Sequence, residues 1–136
     1  MDLRSLLAPR LVAHAHCDIP CGIYDPAAAK IAADTVAKMV EKISGSTGTD
    51  EASRNTFIRS VAVKEEHAQL CKKELLILWS DYFKPEHLEK YPKLHDTFWK
   101  AAKLCSKNKQ SVDATAAADL QAAVKEIADI FWATKK

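Results

Sequence analysis

Helix-start and helix-stop signals cut this chain into four amphipathic segments, and that punctuation constrains its fold more than any other feature. Asp25 followed by Pro26 reads as an N-cap with proline at the first helical position. Ile31, Val36, Met39, Val40 and Ile43 then set one apolar stripe at helical spacing. The segment ends in SGSTGT, residues 44–49, a turn-rich link. Asp50 caps a second segment, with Phe57, Val61, Leu70, Leu75 and Leu78 as its expected inward face. It runs for about 30 residues, or roughly 45 Å at the rise of an α-helix. It stops before Lys84 and Pro85, because the residue ahead of a proline is pushed out of helical geometry. A third segment follows Tyr91 and Pro92, carrying Leu94, Phe98, Ala101, Leu104 and Cys105. Asp113 caps the fourth, with Ala117, Leu120, Val124, Ile127, Ile130 and Phe131. No strand-like alternation of useful length interrupts the pattern, and no internal repeat is visible. The expected fold is all-α: an antiparallel, up-down four-helix bundle.

At 136 residues the chain is one domain, large enough to bury a core without cross-links. Its formal charge of +2 is too mild for a nucleic-acid partner, which calls for a clustered basic face. No apolar run approaches the ~18 residues of a membrane span, so no membrane partner is expected. Cys71 and Cys105 sit on apolar helix faces and read as small buried hydrophobes. Lys64, Lys72, Lys73 and Lys84 read as solvated faces that also attract anions. His87 and His95 read as surface or packing residues, and Trp79, Phe83, Trp99 and Trp132 as core or interface aromatics.

The bundle accounts for residues 25–136 and leaves the N-terminus over. Residues 1–15, MDLRSLLAPRLVAHA, end in Ala13-His14-Ala15, the small-x-small pattern of a processing site. Asp2, Pro9 and Arg10 break up what a secretory signal would need as a continuous apolar stretch. The segment therefore reads as a propeptide removed by a processing protease from a cytoplasmic protein, with export left open. Residues 16–24, HCDIPCGIY, are neither helical nor low-complexity. Cys17 and Cys21 reach one metal if the chain between them turns, and Pro20 and Gly22 favour such a turn. Alone, this spacing also fits a zinc-binding or thiol-redox site in a helical bundle, or a disulfide in a secreted one. Tetrahedral zinc, however, asks for four side-chain donors, and only His16, Cys17 and Cys21 are local, with Asp18 a poor fourth. If cleavage falls after Ala15, His16 gains a free amine. That amine, the Cys17 amide nitrogen and the thiolates of Cys17 and Cys21 make a planar set of two nitrogens and two sulfurs. Such a set points to Ni(II) or Cu(II) rather than zinc. The His16 imidazole is left over for an axial position.

The stretch HCDIPCGIYDP strongly resembles the nickel hook of nickel superoxide dismutases, whose mature chains begin at the histidine. The resemblance continues through LWSDYFKP at residues 78–85, EKYPKLH at 89–95, IFW at 130–132 and the terminal lysine pair. It implies a superoxide dismutase that converts superoxide to oxygen and hydrogen peroxide, with one nickel ion per chain cycling between Ni(II) and Ni(III). It implies a four-helix bundle assembled as a homohexamer. It implies that His16 gives its amine and imidazole, Cys17 its amide nitrogen and thiolate, and Cys21 the second thiolate. Tyr24 matches a tyrosine that screens the open face of the metal and orders water or substrate. Asp18 and Pro20 match residues that shape the loop, and the Ile19–Pro20 bond resembles the family's cis bond. Lys84 matches a lysine that helps draw in the anion, and Arg59 a family arginine in the surroundings of the site. Two positions depart from the pattern. Ala32 stands where the family often has a glutamate bonded to the axial imidazole, and His67 where it often has an arginine backing that glutamate. Support for His16 then falls to His67, water, Asp34 or another subunit.

Overall fold

The computed structural model describes residues 22–135. The expectations for residues 1–15, and for His16, Cys17, Asp18, the Ile19–Pro20 bond and Cys21, lie outside the described residues.

Four long helices pack as a ring in which each touches its two neighbours: α1 (Ala27–Ser44), α2 (Glu51–Ile77), α4 (Leu94–Gln110) and α5 (Ala114–Thr134). Contacts between α2 and α4 run from Lys64 against Asn108 at one end to Trp79 against His95 at the other, so the two are antiparallel. Gln121 of α5 reaches Asp34 of α1. Among the described residues there is no strand, and no helix is long and apolar enough to cross a membrane. The four-helix bundle is as the sequence pattern implies. The link between α2 and α4 is richer than expected: a π-helical turn, Leu78–Tyr82, followed by a short helix α3, Pro85–Lys90.

The caps hold as read, with one shift. Asp50 Oδ1 accepts from the Ser53 amide at 3.0 Å, and Asp113 Oδ1 from the Ala116 amide at 3.0 Å. These satisfy amides that the helix itself leaves without partners. At α1, Asp25 Oδ1 accepts from Ala27 N–H at 2.7 Å, but Pro26 is the flanking residue and the helix starts at Ala27.

The inward faces of α1 and α2 differ from the expected stripes. In α1 it is Ala29, Ala32, Ala33, Val36, Val40 and Ile43 that are buried, while Ile31 is 65 % exposed and Met39 half-buried. In α2 the buried line is Ser60, Lys64, Ala68, Cys71 and Leu75, continuing to Leu78 in the π turn. Phe57 and Leu70 are partly exposed at 42 % and 39 %. Spacing overrides residue size here: steps of three and four pass through small and polar side chains, and the bulkier residues fall beside them.

Lys64 corrects a second expectation. It is only 2 % exposed, not part of a solvated face. Its ammonium donates to the carbonyl oxygens of Asn108, Lys109 (3.0 Å) and Ser111 (3.0 Å). Three protons meet three acceptors at the C-terminal end of α4, where carbonyls lack intrahelical partners and the helix dipole favours a cation. Burial pushes the Lys64 pKa below the ordinary lysine value. Lys64→Ala should leave those carbonyls dry and open a cavity. We expect a loss of roughly 3 kcal/mol or more in urea unfolding and a melting temperature lower by about 10 °C. A change under about 1 kcal/mol would mean that water replaces the ammonium at no cost.

Candidate functional site

Gly22 is the first described residue, and its φ of +70° is a left-handed conformation that glycine adopts without strain. The chain then passes an exposed Ile23 and turns in a half-buried Tyr24 just ahead of α1. This places the tyrosine singled out in the sequence at one end of the bundle.

Tyr24 leans on Tyr82, with ring centroids 5.7 Å apart at 57°. Tyr82 comes from the π turn, whose extra residue per turn closes α2 and is followed by extended backbone at Phe83. The Tyr82 ring is packed on several sides. It stacks on His87 at 5.8 Å, meets Phe83 edge-on at 5.0 Å and lies 4.4 Å from Phe131. The Lys135 ammonium stands 5.3 Å above it, a favourable place for a cation. Thr134 Oγ1 donates to the Phe131 carbonyl at 2.7 Å, so the Tyr82 hydroxyl must donate to Thr134 Oγ1, also at 2.7 Å. The end of α5 therefore fixes Tyr82, and Tyr82 braces Tyr24. The sequence contains this residue within LWSDYFKP, but nothing in its spacing marks it as Tyr24's support. The one signal is its place in the matched segment.

Lys84 is exposed two residues beyond Tyr82. Its backbone N–H donates to His87 Nδ1 at 3.0 Å, which orients the imidazole under Tyr82. Trp79 Nε1 donates to His95 Nδ1 at 2.7 Å and stacks on Phe98 at 6.0 Å. His87 and His95 are thus packing residues that order the connection carrying Tyr82.

The other residues singled out in the sequence are dispersed. Ala32 is fully buried and offers no polar atom. His67 is half-buried with Nδ1 at 2.9 Å from the Val63 carbonyl of its own helix. Asp34 accepts from Gln121 Nε2 at 2.7 Å. Arg59 is exposed and lines a groove with Met39, Lys42, Thr56, Ser60 and Val63. That groove lies toward the far end of α1, about 20 Å along the helix axis from Tyr24. Within one chain, Arg59 and Tyr24 are not brought together.

Among the described residues no group of three His, Cys, Asp or Glu side chains could hold a metal ion. The donor set expected from the sequence precedes Gly22: the imidazole of His16 and the thiols of Cys17 and Cys21. Soft thiolates with nitrogen donors suit nickel or copper in planar geometry.

The family model for nickel-containing superoxide dismutase matches residues 11–135. Nickel superoxide dismutases of Streptomyces coelicolor and Streptomyces seoulensis are each 42 % identical over 134 residues, covering 98 % of this chain and 98 % of theirs. Among solved structures, native nickel superoxide dismutase superposes with a TM-score of 0.79 at 42 % identity, over 89 % of this chain and 100 % of that one. A crystal structure with nickel ligation corresponding to the oxidised state gives 0.78 at 42 %, over 88 % and 98 %.

The bracing role of Tyr82 is open to test in the folded chain. Tyr82→Phe keeps the ring and loses only the bond to Thr134, a cost of about 1 kcal/mol. Tyr82→Ala removes the ring, and we expect a loss of roughly 3 kcal/mol with faster amide hydrogen exchange at Tyr24 and the first turn of α1. Unchanged exchange there in Tyr82→Ala would show that Tyr24 is held by something else.

Proposed function

The chain belongs to the nickel-containing superoxide dismutase family, and from that premise we propose that its nickel is held by His16, Cys17 and Cys21 once residues 1–15 are removed. The protein is a superoxide dismutase with nickel as its cofactor: two superoxide anions and two protons give one oxygen and one hydrogen peroxide. The observation that carries the ligand assignment is the extent of the match. The family model runs from residue 11 to residue 135 and so takes in all of HCDIPCGIY. A zinc-binding or thiol-redox reading of Cys17 and Cys21 has no comparable support.

Nickel, when bound, supplies one-electron exchange with superoxide by alternating between Ni(II) and Ni(III). The chain's own residues set the conditions. The His16 amine, the Cys17 amide nitrogen and the thiolates of Cys17 and Cys21 are electron-rich donors that favour the higher oxidation state. The His16 imidazole would supply a further nitrogen donor. Asp18 and Pro20 shape the loop between the thiolates. Tyr24, braced by Tyr82, screens the open side and holds water or substrate at its hydroxyl. Lys84 and Lys135 add positive charge near Tyr82, which raises the encounter rate of an anion. With Ala32 apolar and His67 Nδ1 engaged by its own helix, orientation of the His16 imidazole falls to His67 Nε2, water, Asp34 or a neighbouring subunit.

Three further parts of the proposal concern the protein's life rather than its chemistry. Residues 1–15 are a propeptide cut by a processing protease in the cytoplasm. The matched curated relatives align with 98 % of this chain, whereas native solved protein aligns with 89 % of it, and the difference from full length is about 15 residues. The active form is a homohexamer, which would enclose a hook that otherwise frays as a free terminus. In such an assembly Arg59, distant from Tyr24 in its own chain, would serve a hook of a neighbouring protomer.

Nickel added to the full-length chain and to a chain beginning at His16 should give very different activities. An amide-bonded His16 nitrogen is no amine ligand, so the full-length form should fall at least about 100-fold below the processed one, more than loss of an outer-shell partner costs. Similar specific activities would remove the amine from the ligand set.

A further inference from the structure

Cys71 and Cys105 take no part in the chemistry above, yet they meet. Both are fully buried and free, one on the inward face of α2 and one on that of α4, and the contact between their immediate neighbours Lys72 and Ser106 sets them opposite each other across the seam. Ala68 and Ala101 lie close to them in sequence on the same buried faces, and small residues there let the two helix backbones approach. Immediately beside the pair, Lys72 Nζ donates to Ser106 Oγ at 3.1 Å, and both of these residues are half-buried. The thiols thus sit one layer beneath a polar seam between the helices.

We propose that Cys71 and Cys105 form a redox site distinct from the hook, which closes to an α2–α4 disulfide with hydrogen peroxide, the product of the dismutation, as its oxidant. Two isolated buried cysteines would be inert filler. A pair facing each other across one seam is different, because the second thiol captures the oxidised form of the first before it can be oxidised further. Their unequal surroundings assign the roles. The Cys71 thiol, helped by the nearby Lys72 charge, holds the Cys105 pKa below its ordinary value, while Cys105 and burial push Cys71 up. Cys105 is therefore the attacking sulfur. Its thiolate takes one oxygen from peroxide, giving a sulfenic acid and hydroxide. The Cys71 sulfur then attacks the sulfenic sulfur, the S–S bond forms, and water leaves with the Cys71 proton. In sum, two thiols and one hydrogen peroxide give one disulfide and two waters. Bond formation draws the sulfurs together to the ~2.0 Å of a disulfide. Entry of peroxide requires the Lys72–Ser106 seam to part, so the reaction is slow relative to oxidation of exposed thiols. The closed loop spans α3 and the π turn that carries Tyr82, so oxidation stiffens the connection that braces Tyr24.

The inference rests on the superoxide dismutase reading only for the source of peroxide. The test supplies the oxidant directly, so the two readings fail separately. Full-length protein is exposed to reagent hydrogen peroxide under conditions that oxidise free cysteine to cystine. It is then denatured in iodoacetamide, cut with trypsin without reductant and weighed by mass spectrometry. Cleavage places Cys71 in the peptide of residues 65–72, Cys105 in that of residues 104–107, and both hook cysteines together in residues 11–30. The expected result is a dithiothreitol-sensitive species joining residues 65–72 to 104–107, and a melting temperature raised by about 10 °C. Cys105→Ser should abolish both, and Cys71→Ser should let Cys105 proceed to sulfinic acid. Both core cysteines recovered as alkylated thiols, each oxidised separately in the parent protein, or either joined to Cys17 or Cys21 would overturn the proposal.

Discussion

The seam between α2 and α4 is the contact on which the rest of the molecule depends. Along it the buried residues of α2 are Lys64, Ala68, Cys71 and Leu75, and those of α4 are Phe98, Ala101, Cys105 and Asn108. Small side chains let the helices close, and at one end the Lys64 ammonium takes the place of solvent on the last carbonyls of α4. The other end is fixed by Trp79 on His95 and Phe98. A seam anchored at both ends defines where α2 must stop. The π turn forms there and turns Tyr82 toward α5 and the entering N-terminal segment.

From this follows the division of labour between bundle and hook. The described residues provide no set of metal donors. They provide a platform: an aromatic cluster of Tyr82, Phe83, His87 and Phe131, tied to the end of α5 through Thr134 and Lys135, on which Tyr24 rests. In the proposed assignment the donors come from the nine residues that the bundle does not need, HCDIPCGIY, and their chemistry is local to the covalent chain. Under that proposal a terminal amine, the next amide nitrogen and its thiolate would hold one ion with little help from tertiary structure. Helical packing supplies what the peptide cannot: a fixed Tyr24, positive charge nearby and an ordered exit at Gly22.

What is legible in the sequence depends on whether the signal is local. Asp50 and Asp113 are readable as caps because the interaction is confined to three residues. The stretch HCDIPCGIY stands out because a chain entering a helix has no need of a histidine and two cysteines so close together. The inward face of α2 is not, because hydrophobic size points to Phe57 and Leu70, whereas the buried line passes through Ser60 and Lys64. A lysine in the core has no signature in its own neighbourhood; its partners lie more than forty residues away. The same holds for the π turn, for Tyr82 as the brace of Tyr24, and for the meeting of Cys71 with Cys105. Each depends on which helix comes to lie opposite, and that is decided by the whole bundle. Arg59 shows the converse: it matches a family residue in sequence, but its place near the far end of α1 gives it no contact with Tyr24 in the same chain.

Nickel K-edge X-ray absorption on the chain beginning at His16 tests the central claim most directly, since it counts sulfur donors at the metal without reference to activity. One nickel per chain with two sulfurs in its first shell, falling to one sulfur in Cys17→Ser and unchanged in Cys71→Ser, is the result that the hook assignment requires. Nickel bound through nitrogen and oxygen alone, or a sulfur count indifferent to Cys17, would contradict it.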